Sequence, residues 1–82
     1  MDADVLKSVS MKATKKRIMI LESVRTSPSP VTAEDIYEKL SQSLDISLST
    51  VYRALNAMSD KGIIIKAVRQ DGKTYFHFND HQ

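Results

Sequence analysis

The stretch Ser47-Leu48-Ser49-Thr50-Val51-Tyr52-Arg53-Ala54-Leu55-Asn56-Ala57-Met58-Ser59-Asp60-Lys61-Gly62 limits this chain's choices more than any other. Val51, Ala54, Leu55 and Met58 recur at i, i+3, i+4 and i+7. On a helix of about 3.6 residues per turn they make one apolar stripe that must be buried. Ser47 stands where a side-chain oxygen accepts from an orphan N–H of the first turn, and Gly62 follows Lys61 where the chain can turn left-handed and stop. The β-branched run Ile63-Ile64-Ile65 comes next, so the pattern predicts a helix over residues 48–61 that passes directly into a strand. The outer side of that helix carries Ser49, Arg53, Asn56 and Asp60, with Tyr52 on its flank. Apart from Asp60 at the far end, these are groups that contact phosphates and base edges.

A chain of 82 residues is expected to form one domain, with a core large enough to fold alone but by no wide margin. Its net charge of +2 is too mild to name a partner. The absence of cysteine excludes a disulfide framework, a thiolate zinc site and a cysteine nucleophile within it. There is no Gly-rich phosphate loop, and no histidine lies close in sequence to a plausible serine and acid pair, so no enzymatic turnover is expected. The N-terminus carries Asp2 and Asp4 and has no apolar run long enough for a signal sequence or a membrane span. The expectation is a cytoplasmic chain without a membrane partner.

Residues 1–16 read as a short helix, with Val5, Leu6 and Val9 as its small apolar face, followed by the start of the cationic run Lys12-Ala13-Thr14-Lys15-Lys16-Arg17. That run has two readings, a solvated helix start capped by Thr14 or a phosphate-binding arm. A helix over about residues 15–26 buries Ile20, Leu21 and Val24, with Ile18 and Met19 widening the face. Ser27-Pro28-Ser29-Pro30 stops it, because each proline biases the residue before it away from helix. Thr32 and Asp35 form a capping box in which the shorter Asp replaces Glu, opening a helix over about residues 33–43 with Ala33, Ile36, Tyr37 and Leu40 inward. Beyond helix 48–61, β-rich runs from Ile63 to Arg69 and from Lys73 to Phe78 flank Gln70-Asp71-Gly72, which predicts a hairpin over residues 63–78. Thr74, Phe76 and Phe78 face one way, Tyr75 and His77 the other. The order predicts a mainly α fold with a small β-hairpin, a winged helix-turn-helix. On pattern alone its outer helix face suits DNA or another protein. In the second case Tyr52 packs on the wing and Arg53 pairs with Asp60 or Glu34.

Three segments carry a more specific signal: Val31-Thr32-Ala33-Glu34-Asp35-Ile36-Tyr37, then Ile46-Ser47-Leu48-Ser49-Thr50-Val51-Tyr52-Arg53-Ala54-Leu55, then Asp60-Lys61-Gly62-Ile63-Ile64. In order and spacing they closely resemble the N-terminal domain of ferric-uptake-regulator proteins, metal-sensing repressors of bacteria. The resemblance runs from Lys12 onward and implies the DNA-binding domain of a metal-responsive repressor that reads an A·T-rich, pseudo-palindromic operator in double-stranded DNA. It places Thr50, Tyr52 and Arg53 in the major groove, the tyrosine against thymine methyls and the arginine at bases or phosphates. Ser49 and Asn56 join them from helix geometry. It also sets Lys12 toward the minor groove and Arg17 near the backbone, which turns the cationic run, with Thr14 and Lys15, into a DNA-binding arm. Lys15-Lys16 stand where many members have proline and glutamine.

In that family a C-terminal domain dimerises and holds metals through histidines, acidic residues and often paired cysteines. The resemblance therefore implies that this chain is the DNA-binding half of a longer protein, a monomer by itself and a homodimer when intact. It implies no cofactor for this half, and a divalent metal, Fe, Zn or Mn, in the other half and between the two. Ser27-Pro28-Ser29-Pro30 replaces a loop that carries a ligating histidine in many members, which implies a different ligand set or a different metal. His77 falls where members present an acidic or histidine ligand to the same site, so it is the metal ligand expected here, and His81 in the tail is a weaker candidate.

Overall fold

The computed structural model describes residues 2–80, in the order α1 (Asp2–Ser8), α2 (Lys15–Thr26), α3 (Ala33–Leu40), α4 (Leu48–Asp60), β1 (Ile64–Val68) and β2 (Thr74–Phe78). The last three helices each open on a hydroxyl that replaces a missing backbone acceptor. Thr14 Oγ1 accepts from the Arg17 N–H at 3.2 Å, and Ser47 Oγ accepts from the Thr50 N–H at 3.1 Å. Thr32 and Asp35 close a reciprocal box, Oγ1 accepting from the Asp35 N–H at 3.1 Å and the Asp35 carboxylate from the Thr32 N–H at 3.0 Å. Each such cap is worth about 1 kcal/mol.

Two helices stop by the same left-handed device. At the end of α4 the Ile63 N–H reaches the Met58 carbonyl and the Gly62 N–H the Ser59 carbonyl, both at 3.0 Å, with Gly62 at φ 80°. After α1 the Met11 N–H reaches the Leu6 carbonyl at 2.9 Å and the Ser10 N–H the Lys7 carbonyl at 3.0 Å. In both places the residue past the turn, Ile63 or Met11, is buried, which is the apolar contact this motif brings with it. Ser10, however, holds φ 65° with a side chain attached. Helix α3 ends otherwise and earlier than the sequence suggests, at Leu40 rather than near residue 43. Ser41, Gln42 and Ser43 add no apolar residue to the buried stripe, and the chain folds over as a turn with the Leu44 N–H on the Leu40 carbonyl at 2.8 Å.

The inward residues meet in one core: Ile20, Leu21 and Val24 from α2, Ala33, Ile36 and Leu40 from α3, and Val51, Ala54, Leu55 and Met58 from α4. The hairpin closes it with Ile64 and Phe76, in the register Ile64↔Phe78, Lys66↔Phe76 and Val68↔Thr74. On its other edge β2 is paired as well. The Val31 N–H donates to the Phe76 carbonyl at 3.0 Å, and the Phe76 N–H to the Val31 carbonyl at 2.7 Å. Pro28 holds Ser27 extended at φ −75° and ψ 134°, which ends α2 and lets the loop bring Val31 to that edge. A helix as short as α1 needs a partner to persist. It has one in α2, through fully buried Leu6 and through a two-point pair between Asp2 and Arg25 at 2.8 and 3.2 Å.

Replacing Leu55, which is 0% exposed, by alanine should cost about 2–5 kcal/mol. That is a large part of the roughly 4–12 kcal/mol that a domain of this size holds, so urea denaturation should find the variant close to unfolding. Ser10→Gly should act in the opposite direction, because it removes the left-handed penalty at the cost of a freer unfolded chain. A gain of about 0.5–1 kcal/mol is expected, seen as a Tm a few degrees higher.

Candidate nucleic-acid interface

The arm before α2 and the first half of α4 face each other across an open groove of about 330 Å³. Lys12, Thr14, Lys16 and Arg17 form one wall, Thr50 and Arg53 the other, over a floor that includes Ile20 and Ala54. The arm is shaped by its own residues. The Lys12 carbonyl accepts both the Thr14 N–H at 3.0 Å and Arg17 Nη1 at 3.1 Å, so Arg17 braces the turn while its charge stays at the groove. Among the described residues no hydrogen bond or ion pair engages the side chains of Lys12, Lys16 or Arg53. Four cationic groups thus converge where no acidic side chain lines the wall. The first turns of α2 and α4, with their positive dipole ends, border the same space.

Other expected contact residues lie around this groove. Thr50 is tied to the cap, its Oγ1 lying 2.9 Å from Ser47 Oγ. Arg53 and Asn56 are exposed on the outer face of α4, and Ser49 is exposed in its first turn but outside the groove. Lys15 is exposed and does not line the groove either, whereas Lys16, absent from the residues singled out in the sequence, does. Lys66 is a second addition. From β1 its Nζ donates to Asn56 Oδ1 at 3.3 Å, setting a wing cation beside the outer face of α4. The sequence held a signal for it, since Lys66 interrupts the strand face that Ile64 and Phe76 make apolar.

Tyr52 is half-buried, its hydroxyl donating to Glu34 Oε2 at 3.0 Å, and it lines a cleft with Glu34 and Asp35 on one side and Gly72, Lys73 and Thr74 of the wing on the other. That bond, helped by partial burial and the nearby negative charge, holds the phenol's pKa above its usual value. Glu34, an alternative partner for Arg53 on the sequence, is therefore committed to Tyr52. At the tip of the wing Asp71 accepts from the Lys73 N–H at 2.9 Å and from the Tyr75 hydroxyl at 2.8 Å, and Arg69 lies over the Tyr75 ring at 4.5 Å. The backbone bond first, then the hydroxyl, pulls the Asp71 carboxyl below the usual carboxylate range.

His77 is exposed on β2, its Nδ1 3.2 Å from the Phe78 carbonyl oxygen, and it borders a shallow groove with Asp80 and the Ser27-Pro28-Ser29-Pro30 loop. His81 lies outside the described residues. Among the described residues no three His, Cys, Asp or Glu side chains gather as a metal site would require, so His77 and Asp80 supply too few donors to close one. No helix among these residues is long and apolar enough to cross a membrane.

Comparison with known proteins gives a consistent answer. A profile described as the Ferric uptake regulator family matches residues 8–82. The ferric uptake regulation protein of Haemophilus ducreyi is 41% identical over 83 residues, a match covering 95% of this chain and 56% of that protein. Its counterpart in Bordetella parapertussis is 37% identical over 81 residues, covering 96% and 58%. The chain thus spans little more than half the length of these curated relatives. Among solved structures, the Vibrio cholerae ferric uptake regulator superposes with a TM-score of 0.87 at 35% identity, over 100% of this chain and 65% of that one. The Pseudomonas aeruginosa regulator, solved with manganese, gives 0.89 at 27% identity over 98% and 61%.

The wing tip makes a pH prediction. Because the folded pKa of Asp71 lies below its unfolded value, the bonds it accepts are fully present above the unfolded pKa and are lost as pH falls through the folded one. The Lys73 amide and Tyr75 ring resonances should move together in an NMR titration, with a midpoint beneath the ordinary aspartate range. A midpoint at the ordinary value would show that the tip is not held this way.

Proposed function

Since the chain belongs to the ferric uptake regulator family and has the winged-helix fold seen in its solved members, we propose that it binds double-stranded DNA through α4 and the cationic groove beside it. The observation that carries this reading is the convergence of Lys12, Lys16, Arg17 and Arg53 on one groove, without acidic partners on its wall, next to the exposed polar face of α4. Phosphate is the anion that a duplex offers at such a place in greatest density. In this reading α4 enters the major groove, where Thr50, Tyr52 and Asn56 meet base edges, Arg53 reaches bases or phosphates, and Ser49 and Lys15 meet the backbone at its margin. Lys12 and Arg17 follow the backbone toward the adjacent minor groove. The protein-binding reading pairs Arg53 with Asp60 or Glu34, whereas among the described residues Arg53 is exposed without an ion pair and Glu34 is bonded to Tyr52.

The wider role follows from the family. The intact protein acts as a metal-responsive repressor, in which two copies of this domain, joined through a second domain, sit on an A·T-rich pseudo-palindromic operator. A divalent metal, Fe, Zn or Mn, biases how the paired domains are oriented, with His77 as a ligand contributed from this side. Alone, the chain is monomeric and holds a half-site weakly, because linking two modules is what multiplies affinity.

Salt dependence tests the core of the proposal. If all four groove cations neutralise phosphates, the logarithm of affinity for a short A·T-rich duplex should fall against the logarithm of salt with a slope of about −3 to −4. Lys16→Ala should flatten that slope by about 1. Arg53→Ala should weaken binding while shifting stability by less than about 0.5 kcal/mol, as suits an exposed side chain. A flat salt response, or a large fall in Tm for Arg53→Ala, would sink this reading.

A further inference from the structure

We propose that Glu34 is a positioning residue for base readout. It commits the hydroxyl donor of Tyr52 within the protein and so presents the phenol ring as an apolar surface for thymine methyl groups. The inference rests on α4 being the DNA-reading helix. The Tyr52 hydroxyl carries a single proton, and an ionised carboxylate can only accept, so the 3.0 Å bond runs from Tyr52 to Glu34 and uses the donor up. That donor is then not available to a phosphate oxygen, a guanine edge or thymine O4. What remains toward the duplex is the ring, and the one apolar group displayed in a major groove is the thymine 5-methyl.

The holder is itself held. Glu34 lies in the first turn of α3, where the helix dipole favours its charge, one residue past the start of a helix anchored by the reciprocal box between buried Thr32 and exposed Asp35. Tyr52 packs its ring against the edge of the core. The bond therefore ties the reading helix to α3 and leaves the ring one seat. An affinity role for Glu34 does not fit, since an ionised carboxylate beside a phosphate-facing surface repels the ligand. Its contribution is to geometry, and affinity and discrimination should move independently when it is changed.

The experiment uses the tightest duplex that the full chain selects from a random-sequence pool, and the same duplex with deoxyuridine in place of thymidine, which removes only the methyl groups. The wild type should prefer thymine by about fourfold for each methyl contacted. Glu34→Gln should bind both duplexes severalfold more tightly, having lost a negative charge, and keep the preference, because the amide oxygen still accepts the hydroxyl. Glu34→Ala should bring the preference toward one without weakening overall binding. Tyr52→Phe should do the same to the preference, and the double variant Glu34→Ala/Tyr52→Phe should go no further. An unchanged preference in Glu34→Ala overturns the proposal, and so does an equal loss on both duplexes accompanied by a lower Tm. Failure to select any duplex overturns the DNA reading itself, and this inference with it.

Discussion

Val51, Leu55 and Met58 are fully buried, and together with Ala54 they seat α4 between α2 and α3 on one side and the start of the hairpin on the other. A helix with one side committed in this way has no freedom to roll. At about 100° per residue, fixing the stripe also fixes Arg53 and Asn56 outward and Thr50 toward the arm. The presented face is a by-product of the buried one. The helix is thus seated by its buried side, and the bonds that Tyr52 and Asn56 make from the outer half are added to a position already set.

The two ends of α4 extend that control to its neighbours. Ser47 closes the first turn, keeping Thr50 beside the groove, and Gly62 ends the helix in a left-handed turn that drops Ile63 into the core. From there β1 has one way to run, back along α4, which brings Lys66 to Asn56. The bond between Tyr52 and Glu34 does the same service toward α3. Two neighbours of α4, the start of α3 and the wing, are thus fastened to it by a side chain from its outer half, over a core that already sets the distance between them.

What the sequence disclosed was local. The three caps, the stop at Gly62 and the apolar stripes all arise within a few residues of chain, and the elements formed where those signals lay. The extent of α3 was overread because Ser41-Gln42-Ser43 carries neither a stop signal nor an apolar residue. The pairing of Val31 with Phe76 joins residues far apart in sequence, and no pattern around Val31 announces a strand. For the same reason Glu34 was legible as a partner for Arg53 but not as the partner of a tyrosine 18 residues on in sequence. Lys15 and Lys16 show the limit most clearly. Both are basic and adjacent, and only the turn of α2 after Thr14 decides that Lys16 borders the groove. Ser10 was silent because left-handed turns are read from glycine, and here a serine adopts one.

Charge raises the same question on a larger scale. A net charge of +2 is unremarkable, yet the groove gathers four cationic side chains with no acid on its wall, while Glu34 and Asp35 line a separate cleft at the start of α3 together with Lys73. At physiological ionic strength exposed charges act over about 8 Å. A phosphate at the groove therefore senses the nearby cations far more than the whole-chain total. Segregation of this kind also gives direction. In the proposed reading, a duplex on α4 meets four cations on the arm side and a cleft of mixed charge at the start of α3, so its backbone is drawn toward the arm.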